Sequence, residues 1–214
     1  MSNPRLLVLA AHASELAPWL AGLPLQEQGG CWLHPSGRLA LAAMGVGPVS
    51  AALGASRWLE RLQPQALLLA GTAGVYPGAG LALGSVAQVA GAMQLDAACE
   101  LGLARYPLFG QGERVLALPW PGGLPLAQVG CLWGLTLDAD LALSLSQGHQ
   151  IQLENMEAFA LGKAAQAFGL PWSAVLGVSN EVGPGGHEQW KRFREQAQNA
   201  VLQACLPQIL GLVE

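Results

Sequence analysis

The chain has 214 residues, of which 52% are hydrophobic and only 11% charged, with a net charge of −4. That length suits one domain over residues 1–214 with a sizeable core, and an acidic balance without a basic stripe argues against a nucleic-acid partner. No apolar run approaches the ~18 residues of a membrane span. The stretch Leu6 to Ala11 is short and runs into His12 and Glu15, unlike a signal peptide, so the expectation is a cytoplasmic protein with no membrane contact. The four cysteines, Cys31, Cys99, Cys131 and Cys205, lack paired spacing and read as small buried hydrophobes in a reducing compartment. Few charges and seven tryptophans suggest surface buried between subunits of a homodimer or higher homo-oligomer.

Arg5 to Ala10 reads as a first buried strand, and Ser14 as the cap of a helix starting at Glu15, with Pro18 tolerated in its first turn. Cys31 to His34 and Leu39 to Met44 flank Pro35-Ser36-Gly37 and form a hairpin. Gly45-Val46-Gly47-Pro48 leads into an Ala-rich helix over Val49 to Leu62, which Pro64 ends. Ala66 to Ala70 is the next apolar strand, closed by the small-residue loop Gly71-Thr72-Ala73-Gly74. Strand-like runs follow near Val86, Val115 and Val129, with a loop over Pro119 to Pro125. Met156 to Phe168 has apolar residues at helical spacing and stops at Gly169 and Pro171. Ser173 to Val178 is a buried strand, and a last helix runs from about Gln189 to Leu206. Alternating strands and helices with some hairpins predict an α/β fold, a central mixed β-sheet flanked by helices.

In a chain so poor in charge, Glu154-Asn155-Met156-Glu157 stands out, placing two carboxylates and an amide where a helix opens. Some twenty residues on, Val178-Ser179-Asn180 follows the next strand, at the end where ligands of open α/β sheets collect. Taken singly each has a structural explanation. First-turn acids suit the helix dipole, and Asn is a common turn residue.

Their conjunction resembles the nucleoside phosphorylase and nucleosidase superfamily, in which a Met-Glu pair opens a helix beneath the ribose and a Ser-Asp or Ser-Asn pair meets the purine. The Asn-Met-Glu and Ser-Asn forms resemble the futalosine hydrolase branch. Gly45-Val46-Gly47-Pro48 with Ser50-Ala51-Ala52 is similar to the family's glycine turn and Ala-rich helix. Leu68 to Gly74 is similar to its next strand and loop, and Leu83-Gly84-Ser85-Val86 to its Gly-Asp-Val step with Ser85 in place of Asp. Ala10 to Glu15 resembles the segment whose final Glu activates water. These matches span about Leu6 to Arg194.

Breaking a purine–ribose bond develops positive charge on the sugar and negative charge on the base. It calls for a carboxylate to deprotonate water, a role for Glu15, and for acceptors for the ribose hydroxyls, a role for Glu157, with Asn155 beside it and Met156 packing under the sugar. It also calls for donors toward the base, which the Asn180 amide supplies. Thr72 would position water or a sugar hydroxyl. Trp190 or Phe193, after Gly183-Pro184-Gly185-Gly186, would close over the base or belong to helix core; no aromatic lies in Leu135 to Leu145, where related nucleosidases carry one. No cofactor is implied, and no histidine has metal-ligand spacing.

Phosphorylases resembling this chain carry an Arg before the Gly-Thr loop; here Leu67-Leu68-Leu69-Ala70 occupies that place, which favours hydrolysis. A 6-oxopurine presents acceptors at ring nitrogen 7 and the 6-position, which an Asn amide can serve and an ionised Asp would repel. Asn180 therefore suits hypoxanthine. The leading expectation is a nucleosidase that splits futalosine into hypoxanthine and dehypoxanthine futalosine in menaquinone biosynthesis. Hydrolysis of methylthioadenosine or adenosylhomocysteine is one alternative, and a non-catalytic nucleoside-binding protein of the same fold is another.

Overall fold

Leu6–Ala10 (β1) is buried at all five positions, as an interior strand is when both faces of its sheet are covered. It lies between Leu39–Ala43 (β4) and Ala66–Val75 (β5), parallel to both. The computed structural model describes residues 3–106 and 112–214. Within them the other strands are Gln26–Gln28 (β2), Cys31–Leu33 (β3), Val86–Gln94 (β6), Arg114–Leu116 (β7), Leu126–Cys131 (β8), Leu153–Glu154 (β9) and Trp172–Glu181 (β10). β5, β9, β8, β6 and β10 pair in turn and β10 returns to β5, so these five strands close into a ring. From β5 the sheet continues outward as an open wing through β1, β4, β3 and β2. Parallel and antiparallel pairs both occur, which makes this the expected mixed sheet.

The period-2 alternation of strands separates the two larger of three core clusters. Leu7, Leu9, Leu67 and Leu69 pack on one face with Ala55 and Leu59 of α2 (Pro48–Leu62) and Leu161 and Ala165 of α5 (Ala158–Ala167). Leu6, Val8, Leu68 and Ala70 pack on the other with Trp19 of α1 (Ala17–Gly22) and Val201, Leu202 and Cys205 of α6 (Gly186–Val213). In α2 the buried residues Ala51, Ala55, Trp58, Leu59 and Leu62 recur at helical spacing, and the Trp58 indole N–H donates to the Ala43 carbonyl at 2.8 Å. All four cysteines are free thiols.

Several boundaries differ from the sequence reading. The turn after β1 is a 3-10 segment, Ala13–Leu16, capped by the His12 ring rather than by Ser14. Gly71 to Gly74 is no loop. It continues β5, because β10 runs alongside it from Trp172 through Glu181. Asn180 likewise lies within β10, beyond an irregularity between Val178 and Asn180, and faces Gly74. The helix expected from Met156 starts at Ala158, since the Asn155 carboxamide caps it and holds Met156 and Glu157 outside its first turn. The last helix runs through Pro207 to Val213; burial of Ile209 holds its final turns despite the missing proline N–H. The short β2, α3 (Ala97–Glu100) and α4 (Ala139–His149) were not anticipated.

Candidate active site

Glu15 sits on the 3-10 turn after β1, and its two carboxylate oxygens have different duties. Oε2 accepts the backbone N–H groups of Ala11 at 3.0 Å and His12 at 3.3 Å, bracing the turn. Oε1 faces β5, where the Thr72 hydroxyl donates to it at 3.4 Å. The helix-start role and a site role therefore coexist in one side chain. Burial pushes the Glu15 carboxyl above its ordinary value, and hydrogen bonds from His12, Ala11 and Thr72 pull the other way. A carboxylate in that state is oriented, only partly exposed and more basic than one in water.

Thr72 gathers the neighbouring segments. Its hydroxyl accepts the Trp190 indole N–H at 3.2 Å, and its carbonyl accepts the Asn155 amide at 3.0 Å. Asn155 spends its other end on the fold, its Oδ1 accepting the backbone N–H groups of Glu157 at 2.9 Å and Ala158 at 2.8 Å. The Asn155 side chain, expected to meet substrate, is instead a buried clip between β5 and the start of α5.

Glu157, thus fixed, reaches across to the glycine turn before α2, where Oε1 accepts the Gly47 N–H at 2.8 Å. Gly47 has φ +82°, a left-handed conformation natural to glycine. Burial raises the Glu157 carboxyl to about 7; the Gly47 N–H opposes this, and the charge of Glu15 adds to it. The two carboxylates thus sense one another across the site. Met156 approaches the same turn, its methyl 3.8 Å from where a side chain on Gly47 would begin.

Asn180 occupies the far side of β5. Its Oδ1 accepts the Ser179 hydroxyl at 2.9 Å, and one amide hydrogen goes to the Glu181 carbonyl at 3.0 Å. The amide nitrogen lies 2.8 Å from where a Cβ on Gly74 would stand and 3.2 Å from one on Gly186, so only hydrogens at those two positions leave it room. Trp190 is in the first turns of α6, with the His187 ring stacked on it at 5.6 Å and the Arg194 guanidinium over it at 4.9 Å. Phe193 lies under the Arg192 guanidinium.

Glu15, Thr72, Asn155, Glu157 and Trp190 therefore form one connected cluster with Met156 beside it, and Asn180 flanks it along β5. Three contributors were missed. The Gly47 N–H was hidden because a backbone donor leaves no residue-type signal. Tyr76 and Thr136 both donate to the buried carboxylate of Glu154, fixing the strand just before Asn155. Glu154 was noticed as a charge, but its partners come from 78 and 18 residues away and no local pattern announces them.

Fold and site together define the class: an N-glycosidic bond hydrolase of the nucleoside phosphorylase and nucleosidase fold. The futalosine hydrolase of Thermus thermophilus is 31% identical to this chain over 189 residues, which cover 82% of this chain and 83% of the relative. The chain belongs to the futalosine hydrolase family. Among solved structures, Streptococcus pyogenes S-adenosylhomocysteine nucleosidase with 5-methylthiotubericidin superimposes with a TM-score of 0.82 at 21% identity, covering 99% of this chain and 98% of that one. Helicobacter pylori futalosine hydrolase gives 0.80 at 14% identity, covering 96% and 98%. No family model matches the sequence.

Proposed function

We propose that this protein hydrolyses futalosine to hypoxanthine and dehypoxanthine futalosine, and so serves menaquinone biosynthesis. The observation that carries the reading is the Glu15 carboxylate, clamped by two backbone N–H groups through one oxygen and left with the other beside Thr72. Glu157 is buried and held on the Gly47 N–H.

In the reaction, a water held between Glu15 Oε1 and Thr72 gives a proton to Glu15 as its oxygen bonds to the anomeric carbon. The bond from that carbon to the purine breaks, and the electron pair leaves with the base as an anion, which takes up a proton from solvent to become hypoxanthine while Glu15 returns its proton to solvent. Glu157 accepts the ribose hydroxyls, and its ionised form steadies the positive charge that develops on the sugar. Met156 packs under the ring, and the remaining Asn180 amide hydrogen meets the 6-oxopurine as charge builds on it. Asn155 positions Glu157, and Trp190 covers the Thr72 side. The groups needed for water attack are all side chains, so the scheme calls on no cofactor.

We place the protein in the cytoplasm as a homodimer or higher homo-oligomer. Support for association comes from Val46, Val49 and Leu53, which are 56%, 55% and 69% exposed around the glycine turn, an apolar patch that a further copy would cover. The deciding assay incubates the protein with futalosine, adenosine and methylthioadenosine side by side and follows free base by chromatography. Hypoxanthine release from futalosine is expected to dominate, and adenine release in its place would move the protein to the adenine nucleosidases.

A further inference from the structure

Glu154 is a carboxylate that the reaction scheme does not use, and it is buried, at 5% exposure. Among the described residues no cation pairs with it. Hydrogen-bond donors hold it instead. Oε1 accepts the Thr136 backbone N–H at 3.1 Å, and Oε2 accepts the Thr136 hydroxyl and, at 3.1 Å, the Tyr76 hydroxyl. Burial pushes the Glu154 carboxyl up, and the bonds from Thr136 and Tyr76 oppose it. An apolar side chain of similar volume commonly serves stability at such a place as well or better. Stability therefore does not account for the charge.

Its connections lead to the base side of the site. β9 sets Glu154 against Gly74, and β10 sets Asn180 against the same Gly74. Glu154 and Asn180 thus share one rung of the sheet with only a glycine between them. A chain of hydrogen bonds also joins them around the outside. The Thr136 carbonyl accepts the Gly183 N–H at 3.1 Å, and the Gly183 carbonyl accepts the Gly186 N–H at 3.1 Å. Gly186 borders the Asn180 amide, whose nitrogen lies 3.2 Å from where a Cβ on Gly186 would stand. Both oxygens of Glu154 fasten Thr136, and Thr136 fastens the loop that walls the Asn180 slot. Tyr76 braces the carboxylate but lies outside this chain of bonds.

We propose that Glu154 is a positioning residue for base selection, acting through Thr136 and Gly183 on the Asn180 amide. The proposal rests on the reading of Asn180 as the donor to a 6-oxopurine and adds what holds that donor in place. Bonds in a buried network reinforce one another, so without the carboxylate the loop and the amide shift together.

The test compares kcat/KM for futalosine with that for its 6-amino analogue, which differs from it at one purine substituent. A variant that is merely less stable loses both activities alike and leaves their ratio unchanged. Glu154→Leu and, separately, Thr136→Val should lower the ratio roughly three- to tenfold, less than complete loss of a buried donor would. Glu154→Gln should keep most of it, because its amide oxygen can accept the Thr136 N–H while both hydroxyls turn to accept its NH₂. Tyr76→Phe should keep it too. In parallel, the Asn180 side-chain amide signal is followed by nitrogen-15 NMR without substrate, assigned by its loss in Asn180→Asp. It should move in Glu154→Leu and Thr136→Val and stay in place in Tyr76→Phe. A signal that does not move in Glu154→Leu overturns the proposal, and so does a ratio that falls equally in Tyr76→Phe and Thr136→Val. If the unaltered protein releases base from neither compound, the nucleosidase reading falls, and the amide signal still decides whether Glu154 holds Asn180.

Discussion

Glu157 accepts the Gly47 backbone N–H at 2.8 Å across 110 residues of chain, so the glycine turn before α2 sets where this buried carboxylate points. A side chain on Gly47 would strain its +82° φ by roughly 1–2 kcal/mol and tilt the N–H away. Gly47→Ala is therefore expected to raise KM for futalosine several-fold with a smaller change in kcat. Glu157→Ala removes the acceptor itself, and a loss of ~10²-fold or more in kcat/KM is expected. Steady-state kinetics on both variants, with circular dichroism to confirm folding, check this. Wild-type kinetics in folded Glu157→Ala would remove Glu157 from the sugar.

The same carboxylate makes stability and activity respond oppositely to pH. Its value in the folded protein, about 7, lies above the ordinary 4.5 because of burial. A raised carboxyl favours the folded state in its protonated form. That stabilisation is fully present below about 4.5 and is lost as pH rises through about 7, on the order of 3 kcal/mol for this shift. Glu15 is raised in the same direction. Ribose binding and water activation need both groups ionised, so kcat/KM should rise over the interval in which thermal stability falls. Melting curves of wild type and Glu157→Gln from pH 5 to pH 8 test the first half, and the variant is expected to lose much of the slope. Parallel slopes would mean that Glu157 titrates normally.

Glu15→Gln keeps the size of the side chain, and its amide oxygen can still accept from Ala11 and His12, but it cannot take a proton from water. Turnover should fall by ~10²-fold or more while futalosine still binds. Single-turnover rates alongside calorimetric titration separate the two effects. A folded variant that turns over normally would rule out Glu15 as the base.

What was legible in the sequence follows from which signals are local. Buried runs such as Leu6 to Ala10 and Leu67 to Ala70 announce themselves, and α2 shows one apolar face. Glu15, Thr72, Glu157 and Trp190 could be named as candidates through the resemblance of their segments to the nucleosidase family, and the structure brings them together. The conformation of Thr72 could not be read, because Gly-Thr-Ala-Gly carries turn-forming residues and only pairing with β10 draws it into a strand. The bonding of Asn155 could not be read for a related reason. A buried Asn before a helix can cap it or face a ligand, and the long-range bond to the Thr72 carbonyl settles where its amide goes.

Inorganic phosphate should neither accelerate the reaction nor appear as ribose 1-phosphate or its 5′-extended equivalent. The strand segment that would carry a phosphate-binding cation holds Leu67, Leu68 and Leu69, all buried in the core. The Glu15 carboxylate comes within 3.7 Å of where a Cβ on Gly71 would stand and senses Glu157 across the site, and both carboxylates repel an anion. Phosphorus NMR of the reaction mixture is the check, and a sugar phosphate signal would transfer the protein to the phosphorylases.

Asn180 offers the most specific test of base selection. Its carboxamide is held edge-on, with Oδ1 turned to the Ser179 hydroxyl and one N–H on the Glu181 carbonyl, in a slot that Gly74 and Gly186 keep open. The remaining N–H is a donor, suited to the acceptors of a 6-oxopurine. Asn180→Asp replaces that nitrogen with oxygen. An ionised Asp would face the Glu181 carbonyl as well as the hypoxanthine acceptors, so futalosine hydrolysis should suffer. A protonated Asp donates to ring nitrogen 7 and accepts from a 6-amino group, so adenine nucleosides should lose less or gain. One unsatisfied buried polar contact costs ~1–3 kcal/mol, so the ratio of kcat/KM for futalosine to that for an adenine nucleoside should fall about ten- to a hundred-fold. Gly186→Ala, whose Cβ would meet the Glu181 carbonyl at 2.6 Å and this amide at 3.2 Å, should lower kcat/KM for futalosine without reversing the preference, because it displaces the donor together with the carbonyl that holds it and creates no new acceptor. If the ratio is unchanged in Asn180→Asp, the amide does not read the base, and the selection of hypoxanthine must come from another group.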